Sequence, residues 1–199
     1  MKKIWAAACL AATLAFSPAQ GQTLLTEKKT FEIPSFTTQS GRALKNVKVG
    51  WESYGTLNAD KSNAILIAHF FSANSHAAGK YKESDAAPGY WDSIIGPGKV
   101  IDTNRYFVMS VDSLVNLNTG DPNTITTGPA SINPDTGKPY GMDFPIVTIR
   151  DFIEVQRLLA DQLGIQRFQL VAGASMGALQ TFEWAASYPD RVARAMPVI

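Results

Sequence analysis

The stretch that decides the fold is LVAGASMGAL, residues 170–179. Residues that suit a buried strand run here into Gly173, Ser175 and Gly177, and a helix-forming segment follows. Gly-x-Ser-x-Gly between a strand and a helix is the pattern of a nucleophile elbow, a sharp turn that exposes a serine hydroxyl. The sequence therefore predicts that Ser175 is a catalytic nucleophile.

The residues around this serine suggest how a reacting oxygen would be stabilised. Gly173 and Gly177 allow strand and helix to approach closely, and the Met176 N–H, at the start of the helix, would point at the oxyanion. A second donor is expected from the loop after the third strand, where the Phe71 N–H is the best candidate. The alternative is that Ser175 only caps the helix, but a cap does not require glycine on both sides.

The base that a serine nucleophile needs is not evident. The sequence contains only two histidines, His69 and His76, and both precede Ser175. In folds with this elbow the histidine follows the serine. We therefore expect His69 to hold the oxyanion loop by hydrogen bonds and His76 to lie near the mouth of the pocket. The acid and histidine of the triad are expected outside these 199 residues.

Hydrophobic patterns along the chain alternate between strand and helix. They predict strands at 31–36, 46–55, 64–71, 105–112, 167–172 and 193–199, and helices at 148–164 and 176–188. Thr148 and Asp151 can form a capping box, and Gly164 can end that helix. This alternation predicts an α/β fold, a mostly parallel sheet with helices on both faces and ligands at the strand C-termini.

A long segment rich in Asn, Thr, Gly and Pro, residues 116–145, separates a strand from a helix. Loops of this length in a compact domain are usually functional or disordered. It leaves the sheet at the same edge as the elbow, so we expect it to form a wall of the substrate pocket. The alternative is a surface excursion that only covers hydrophobic area.

The first 21 residues have the features of a signal peptide. Lys2 and Lys3 precede an apolar run of 13 residues, and the small residues Ala19 and Gly21 follow it. An uncleaved anchor would need about 20 apolar residues. We expect residues 1–21 to be removed, together with Cys9, the single cysteine, and the mature protein to be periplasmic or secreted, free of the membrane.

Length and composition indicate that the remaining residues, 22–199, form one globular domain. The chain is 45% hydrophobic with a net charge of +1, so no charge excess favours nucleic acid as a partner. Two histidines and no mature cysteine make a poor metal site. We expect no metal and no bound cofactor, a small-molecule substrate, and a homodimer as a candidate assembly.

Four segments together resemble the homoserine O-acetyltransferase family of the α/β-hydrolase superfamily. They are YGTLNADKSNAILIAH (54–69), GYWDSIIGPGKVIDTNRYFV (89–108), TGPASINPDTGKPYGMDFPIVTIRD (127–151) and GASMGALQTFEWAASYPDRV (173–192). The resemblance implies an α/β-hydrolase fold of which this chain is the N-terminal part, truncated before the last strands and the lid. It also implies that acetyl-CoA acylates Ser175, that Phe71 and Met176 form the oxyanion hole, and that a substrate hydroxyl takes the acetyl group.

The chain departs from that family at NLNTGDPNTIT (116–126), where the family usually carries a cysteine- and glycine-rich stretch. Acetyl-CoA is also not expected outside the cytoplasm. We therefore expect an exported ester or amide hydrolase that works through an acyl-serine. The alternatives are an acetyl-CoA-dependent homoserine O-acetyltransferase and an inactive fragment or non-catalytic binding module that lacks the triad histidine.

Overall fold

The computed structural model describes residues 23–199, and the predicted signal peptide, 1–21, lies outside them. The strands are β1 (Lys29–Thr37), β2 (Ala43–Tyr54), β3 (Ala64–Ala68), β4 (Ile95–Gly96), β5 (Ile101–Asp102), β6 (Phe107–Val111), β7 (Ile132–Asn133), β8 (Lys138–Pro139), β9 (Leu170–Ala174) and β10 (Ala195–Val198). The α-helices are α1 (Ile149–Gln162) and α2 (Met176–Ser187), and 3-10 helices span Gly141–Asp143 and Pro189–Arg191.

Six of these strands form one sheet in the order β1-β2-β6-β3-β9-β10. The strands β6, β3, β9 and β10 run parallel to one another, whereas β1 and β2 form an antiparallel hairpin whose second strand pairs antiparallel with β6. The sheet is thus mostly parallel, as the alternation of strands and helices predicts. Pro34 lies in β1, an edge strand, where a missing N–H costs no sheet hydrogen bond.

The central strands β3 and β6 are buried on both faces, which explains their continuous apolar sequences. Leu66 and Met109 belong to the larger core, which also contains Ile153 of α1 and Trp184 of α2. Ile67, the neighbour of Leu66, belongs instead to a second core on the opposite face. Successive side chains of one strand therefore pack into different cores.

In the described residues, both α-helices pack on the face of the larger core. The opposite face is covered by residues 77–106, whose Ala78, Ile95 and Ile101 pack against the strands. This covering segment contains the short strands β4 and β5 and no α-helix. Helices were expected on both faces of the sheet, and within residues 23–199 they cover one face only. Pro and Gly recur in 77–106 and interrupt any helical periodicity.

The predicted boundaries hold to within a few residues. Helix α1 begins after Thr148, whose backbone N–H donates to Asp151 at 2.7 Å, and Gly164 follows its end at φ +77°. The strand predicted at 167–172 is displaced, because β9 begins only at Leu170 and continues to the elbow. No helix in the part of the chain described is long and apolar enough to span a membrane.

Candidate active site

Ser175 occupies a strained turn between β9 and α2. Its backbone has φ 54° and ψ −118°, a conformation that residues other than glycine rarely adopt. The residue is exposed, its N–H donates to the Val198 carbonyl at 2.9 Å, and its side chain makes no capping hydrogen bond with α2. Ser175 therefore presents a free hydroxyl at the C-terminal edge of the sheet instead of capping the helix.

The two elbow glycines are explained by the approach of neighbouring backbone. A Cβ on Gly177 would lie 2.1 Å from the Ala68 carbonyl oxygen, at the end of β3. A Cβ on Gly173 would lie 2.5 Å from the Gly177 oxygen and 2.6 Å from the Ala68 oxygen. All three distances are far below van der Waals contact. The turn can thus form only where both positions lack a side chain.

The predicted oxyanion donors follow the ends of β3 and β9. We call residues 69–76 the β3 loop; it begins against the first turn of α2, since a Cβ on Gly177 would lie 3.2 Å from the His69 oxygen. Within residues 23–199, the N–H groups of Phe71 and Met176 donate to no side chain and to no loop carbonyl. Two uncommitted donors suit an oxyanion, and their role at Ser175 remains a prediction.

His69 is a buried structural residue. Its Nε2 accepts a hydrogen bond from the Ser113 N–H at 3.0 Å, so its Nδ1 carries the proton and donates to the Phe70 carbonyl at 2.8 Å. Burial lowers the pKa of His69 below its ordinary value, which keeps the ring neutral. The Gln180 amide donates to the His69 carbonyl at 3.2 Å. As expected, this histidine holds the β3 loop in place.

His76 lies in the same loop and faces a different partner. Its Nδ1 lies 3.0 Å from Glu52 Oε2, and its ring stacks on Tyr81 with centroids 4.4 Å apart. The residue is partly buried. The hydrogen bonds of His69 and His76 are thus made with groups other than Ser175, and neither ring is placed as its base.

A cluster of buried charges beneath the β3 loop was missed by the sequence analysis. Lys28 Nζ lies 2.9 Å from Glu52 and 3.6 Å from Asp112, and both carboxylates are 0% exposed. Burial raises the pKa of Glu52, but hydrogen bonds from His76 and Tyr81 and the charge of Lys28 outweigh it and hold the pKa below its ordinary value. Among residues 23–199, no three His, Cys, Asp or Glu side chains are grouped to hold a metal ion.

The sequence signal for this cluster was present but ambiguous. The alternation along 46–55 places Val47 and Val49 inside and leaves Glu52 on the polar side. In the structure Glu52 and Tyr54 are buried, whereas Trp51 and Ser53, on the other face of the strand, are only partly buried. Lys28, His76 and Tyr81 contact the Glu52 carboxylate and supply cover that the alternation alone could not reveal.

The long loop, residues 116–145, lines a cavity of about 720 Å³ together with the exposed side chain of Phe71. Ser175 is not part of this lining; Phe71 connects the cavity to the predicted oxyanion site. Within residues 23–199, no side chain that lines this cavity is charged. The lining residues are Phe71, Val115, Asn116, Leu117, Thr119, Thr124, Thr126, Gly128, Pro129, Ala130 and Ser131. The loop thus forms a pocket wall within the described residues.

Asparagine side chains connect the long loop to the β3 loop. The Asn116 amide donates to the Ala73 carbonyl at 3.0 Å, and the Asn118 amide donates to the Ser72 carbonyl at 3.0 Å. Asn74 donates in the opposite direction, to Asp121 at 3.0 Å. The unusual stretch 116–126 therefore fixes the segment that carries Phe71. Its density of asparagine was the available sequence signal.

The fold and this elbow define a class of protein. A mostly parallel sheet, with a serine in a strained turn between a strand and the helix that follows it, is the α/β-hydrolase fold. No protein-family model matches the chain.

Comparison with individual proteins shows which members of this class the chain resembles. Esterase E22 is 65% identical, with a TM-score of 0.83 over 84% of this chain and 46% of its own. The homoserine O-acetyltransferase from Bacillus anthracis is 48% identical, with a TM-score of 0.84 over 86% of this chain and 46% of its own. The homoserine O-acetyltransferase of Geobacter sulfurreducens is 49% identical over 79% of this chain and 41% of its own.

The chain is thus similar in sequence and fold to homoserine O-acyltransferases and esterases of the α/β-hydrolase type, and the similarity covers the N-terminal part of those proteins. It spans 41% to 46% of the length of these three proteins. These similar proteins include acyltransferases and esterases, so that the similarity alone leaves the reaction of this protein open.

Proposed function

We propose that the protein to which this chain belongs is a serine hydrolase that cleaves esters or amides through an acyl-serine intermediate. The observation that carries the proposal is the exposed Ser175 in its strained turn between β9 and α2. Strain of this kind persists only where the surrounding structure enforces it, and it is concentrated at functional sites.

The proposed reaction has two halves. Ser175 Oγ loses its proton to a base and attacks the substrate carbonyl carbon, and the N–H groups of Phe71 and Met176 bind the oxygen that becomes negative. Collapse of this intermediate expels the protonated alcohol or amine and leaves an acyl-serine. Water then adds to the acyl-serine and releases the carboxylic acid and free Ser175. We propose that the histidine base and its acid lie outside this chain.

Two observations favour water as the acceptor. The chain is more similar to esterase E22, at 65% identity, than to the Bacillus anthracis acetyltransferase, at 48%. In addition, no charged residue of the described part of the chain lines the cavity beside Phe71. Homoserine carries an amine and a carboxylate, and both would need charged or strongly polar partners once desolvated. A neutral ester requires none.

Transfer from acetyl-CoA to homoserine is the second candidate. It is supported by the curated relatives, which are homoserine O-acetyltransferases or O-succinyltransferases. In this reaction the acyl-serine would form in the same way, and the hydroxyl of homoserine would replace water. The two candidates therefore share Ser175 and differ only in the acyl donor and acceptor.

The test uses the purified full-length protein. Hydrolysis of p-nitrophenyl acetate should fall by a factor on the order of 10⁶ in Ser175→Ala, toward the residual rate that binding and oxyanion donors sustain. Ser187→Ala, at the other end of α2, is the matched control and should retain wild-type activity. Equal hydrolysis by the wild type and Ser175→Ala would refute the proposal.

The acceptor is tested with acetyl-CoA and the same preparations. Release of free CoA that depends on added homoserine, together with formation of O-acetylhomoserine, would establish the transferase. Steady ester hydrolysis without homoserine-dependent CoA release would support the hydrolase.

We further propose that residues 1–21 direct export and are cleaved, so that the enzyme acts in the periplasm or outside the cell. The charged start and the apolar run of 13 residues support this. The N-terminal sequence of the protein isolated from the periplasm or medium should begin at Gln22. Recovery of the uncut chain only from the cytoplasm would contradict export.

A further inference from the structure

Asp112 follows β6 directly and is completely buried, at the point where two loops of the candidate site meet. Its Oδ1 accepts the Ser75 backbone N–H at 2.6 Å, and its Oδ2 accepts the Ile125 backbone N–H at 2.9 Å. Ser75 belongs to the β3 loop and Ile125 to the long loop. One carboxylate therefore binds the segment that carries Phe71 and the segment that lines the cavity.

The surroundings of Asp112 hold this carboxylate in place. Lys28 Nζ lies 3.6 Å from Oδ1 and donates to Ser75 Oγ at 2.5 Å, so that a positive charge accompanies the buried acid. Gly50 leaves the room that the carboxylate occupies, because a Cβ there would lie 2.2 Å from Oδ2. A buried carboxylate of this kind is stable only while its charge is paired and its oxygens accept hydrogen bonds.

We propose that Asp112, with Lys28 as its counter-charge, is a positioning residue that fixes the Phe71 N–H relative to the cavity wall. This inference depends on the proposed function, because it assigns Asp112 an effect on the oxyanion site. Asp112 does not touch the substrate. It acts through Ser75, four residues after Phe71, and through Ile125, which lies between the cavity residues Thr124 and Thr126.

The expected consequence is kinetic. An oxyanion donor acts only when it lies within hydrogen-bond distance of the developing charge, and a displacement of about 1 Å can cost about 10²-fold in rate. Asp112→Asn keeps the shape of the side chain but replaces one acceptor by a donor. Either Ser75 or Ile125 then loses its hydrogen-bond acceptor, and the two loops are no longer held by one group.

The experiment compares Asp112→Asn with Asp102→Asn in the full-length protein. Asp102 is the matched control, since its carboxylate also accepts two backbone N–H groups, from Gly98 and Asn104, but within its own turn. For p-nitrophenyl acetate, kcat should fall about 10²-fold in Asp112→Asn and remain within about twofold of wild type in Asp102→Asn.

A second readout separates positioning from general loss of structure. A trifluoromethyl ketone forms a hemiketal with the serine, and its oxyanion occupies the proposed oxyanion site. In Asp112→Asn the inhibition constant of the ketone should rise in parallel with the loss of kcat/KM. Across the variants, the loss of kcat/KM should not correlate with the change in melting temperature. If kcat stays within about twofold of wild type, or falls while the ketone binds as tightly as before, the proposal is overturned.

Two further measurements keep the proposal testable if Asp112→Asn does not fold. In the wild type, the Ser75 and Ile125 amides should exchange hydrogen at similar rates, because one carboxylate protects both; rates that differ more than about tenfold would refute the link. Gly50→Ala leaves Asp112 intact and displaces its carboxylate, and it should reproduce the kinetic loss. If wild-type hydrolysis does not depend on Ser175, the proposed function fails instead, while the exchange result still reports on the link.

Discussion

Ser175 adopts its strained conformation because the backbone around it leaves no relaxed alternative. A non-glycine residue in a sparsely populated region costs on the order of 1–3 kcal/mol. That cost is offset by the hydrogen bond from the Ser175 N–H to Val198 and by the close packing of Gly173 and Gly177 against Ala68. The reactive geometry is therefore a property of three neighbouring backbones and not of the serine alone.

Replacing Gly177 by alanine should be strongly destabilising. The new Cβ would lie 2.1 Å from the Ala68 oxygen and 2.9 Å from its carbonyl carbon, so β3 and α2 must separate. We expect the free energy of unfolding to fall by about 1–3 kcal/mol or more, as for other overpacked positions, measured by urea denaturation. Gly120→Ala is the control, because a Cβ there meets nothing within 4 Å. Equal stability of the two variants would contradict the close approach that we describe.

In helix α1, the side chain of Asp151 both caps the N-terminus of the helix and attaches the helix to the sheet. The Asp151 carboxylate accepts the Thr148 N–H at 2.7 Å, which caps the helix, and the Gln39 N–H at 2.7 Å, which belongs to the turn between β1 and β2. The side chain is fully buried. The cap predicted from sequence is thus also a tertiary contact, and this second role could not be predicted locally.

We expect Asp151→Ala to lower the free energy of unfolding by about 1.5–3 kcal/mol, the usual worth of a hydrogen bond to a charged group. Two backbone N–H groups, those of Gln39 and Thr148, lose their acceptor in this variant. Asp161→Ala removes a carboxylate from the same helix that pairs with Arg157 and Arg191 at the surface, and it should cost less than about 1 kcal/mol. Chemical denaturation of both variants measures the difference; a larger cost for Asp161→Ala would show that the cap is unimportant.

Helices α1 and α2 are joined to the active-site edge by a chain of buried amides. Trp184 Nε1 donates to Gln156 Oε1 at 2.7 Å, the Gln156 amide donates to Gln180 at 2.6 Å, and Gln180 donates to the His69 carbonyl. Every link is satisfied inside the core, which a buried polar group requires. The helical layer thereby holds the start of the β3 loop.

For the molecule as a whole, buried titratable groups make the fold sensitive to acid. The pKa of His69 is lowered by burial from 6.5, and the pKa of Glu52 is lowered from 4.5 by its hydrogen bonds and Lys28 in spite of burial. In both cases the unfolded chain binds the proton more readily than the folded one. Stability therefore falls as the pH drops below about 6.5 and falls further below about 4.5.

The melting temperature of the full-length protein should accordingly decrease between pH 7.5 and pH 5.5. Protonation of His69 would require its Nε2 to give up the Ser113 N–H, so the folded state resists it. In His69→Gln the decrease over this range should be smaller, whatever the absolute stability of the variant. Scanning calorimetry at several pH values tests this, and parallel curves for wild type and variant would rule out His69 as the source.

The features that the sequence predicted depend on local patterns. The elbow at Ser175 follows from glycine spacing between a strand and a helix, and α1 follows from its apolar period with Thr148 and Gly164 at its ends. The buried strands β3 and β6 follow from continuous apolar runs. Such signals can be recognised in the sequence alone because they depend on residues a few positions apart.

What the sequence determined by itself is thus the class of fold and the elbow turn that holds Ser175. Only the tertiary structure decided which face of the sheet carries helices, and only it brought Lys28, Glu52 and Asp112 together from distant parts of the chain. The physical reason is that the partner of a buried charge is chosen by proximity in space. The sequence does not show whether an aspartate at the end of a strand contacts water or binds two loops. Only the folded backbone distinguishes these cases.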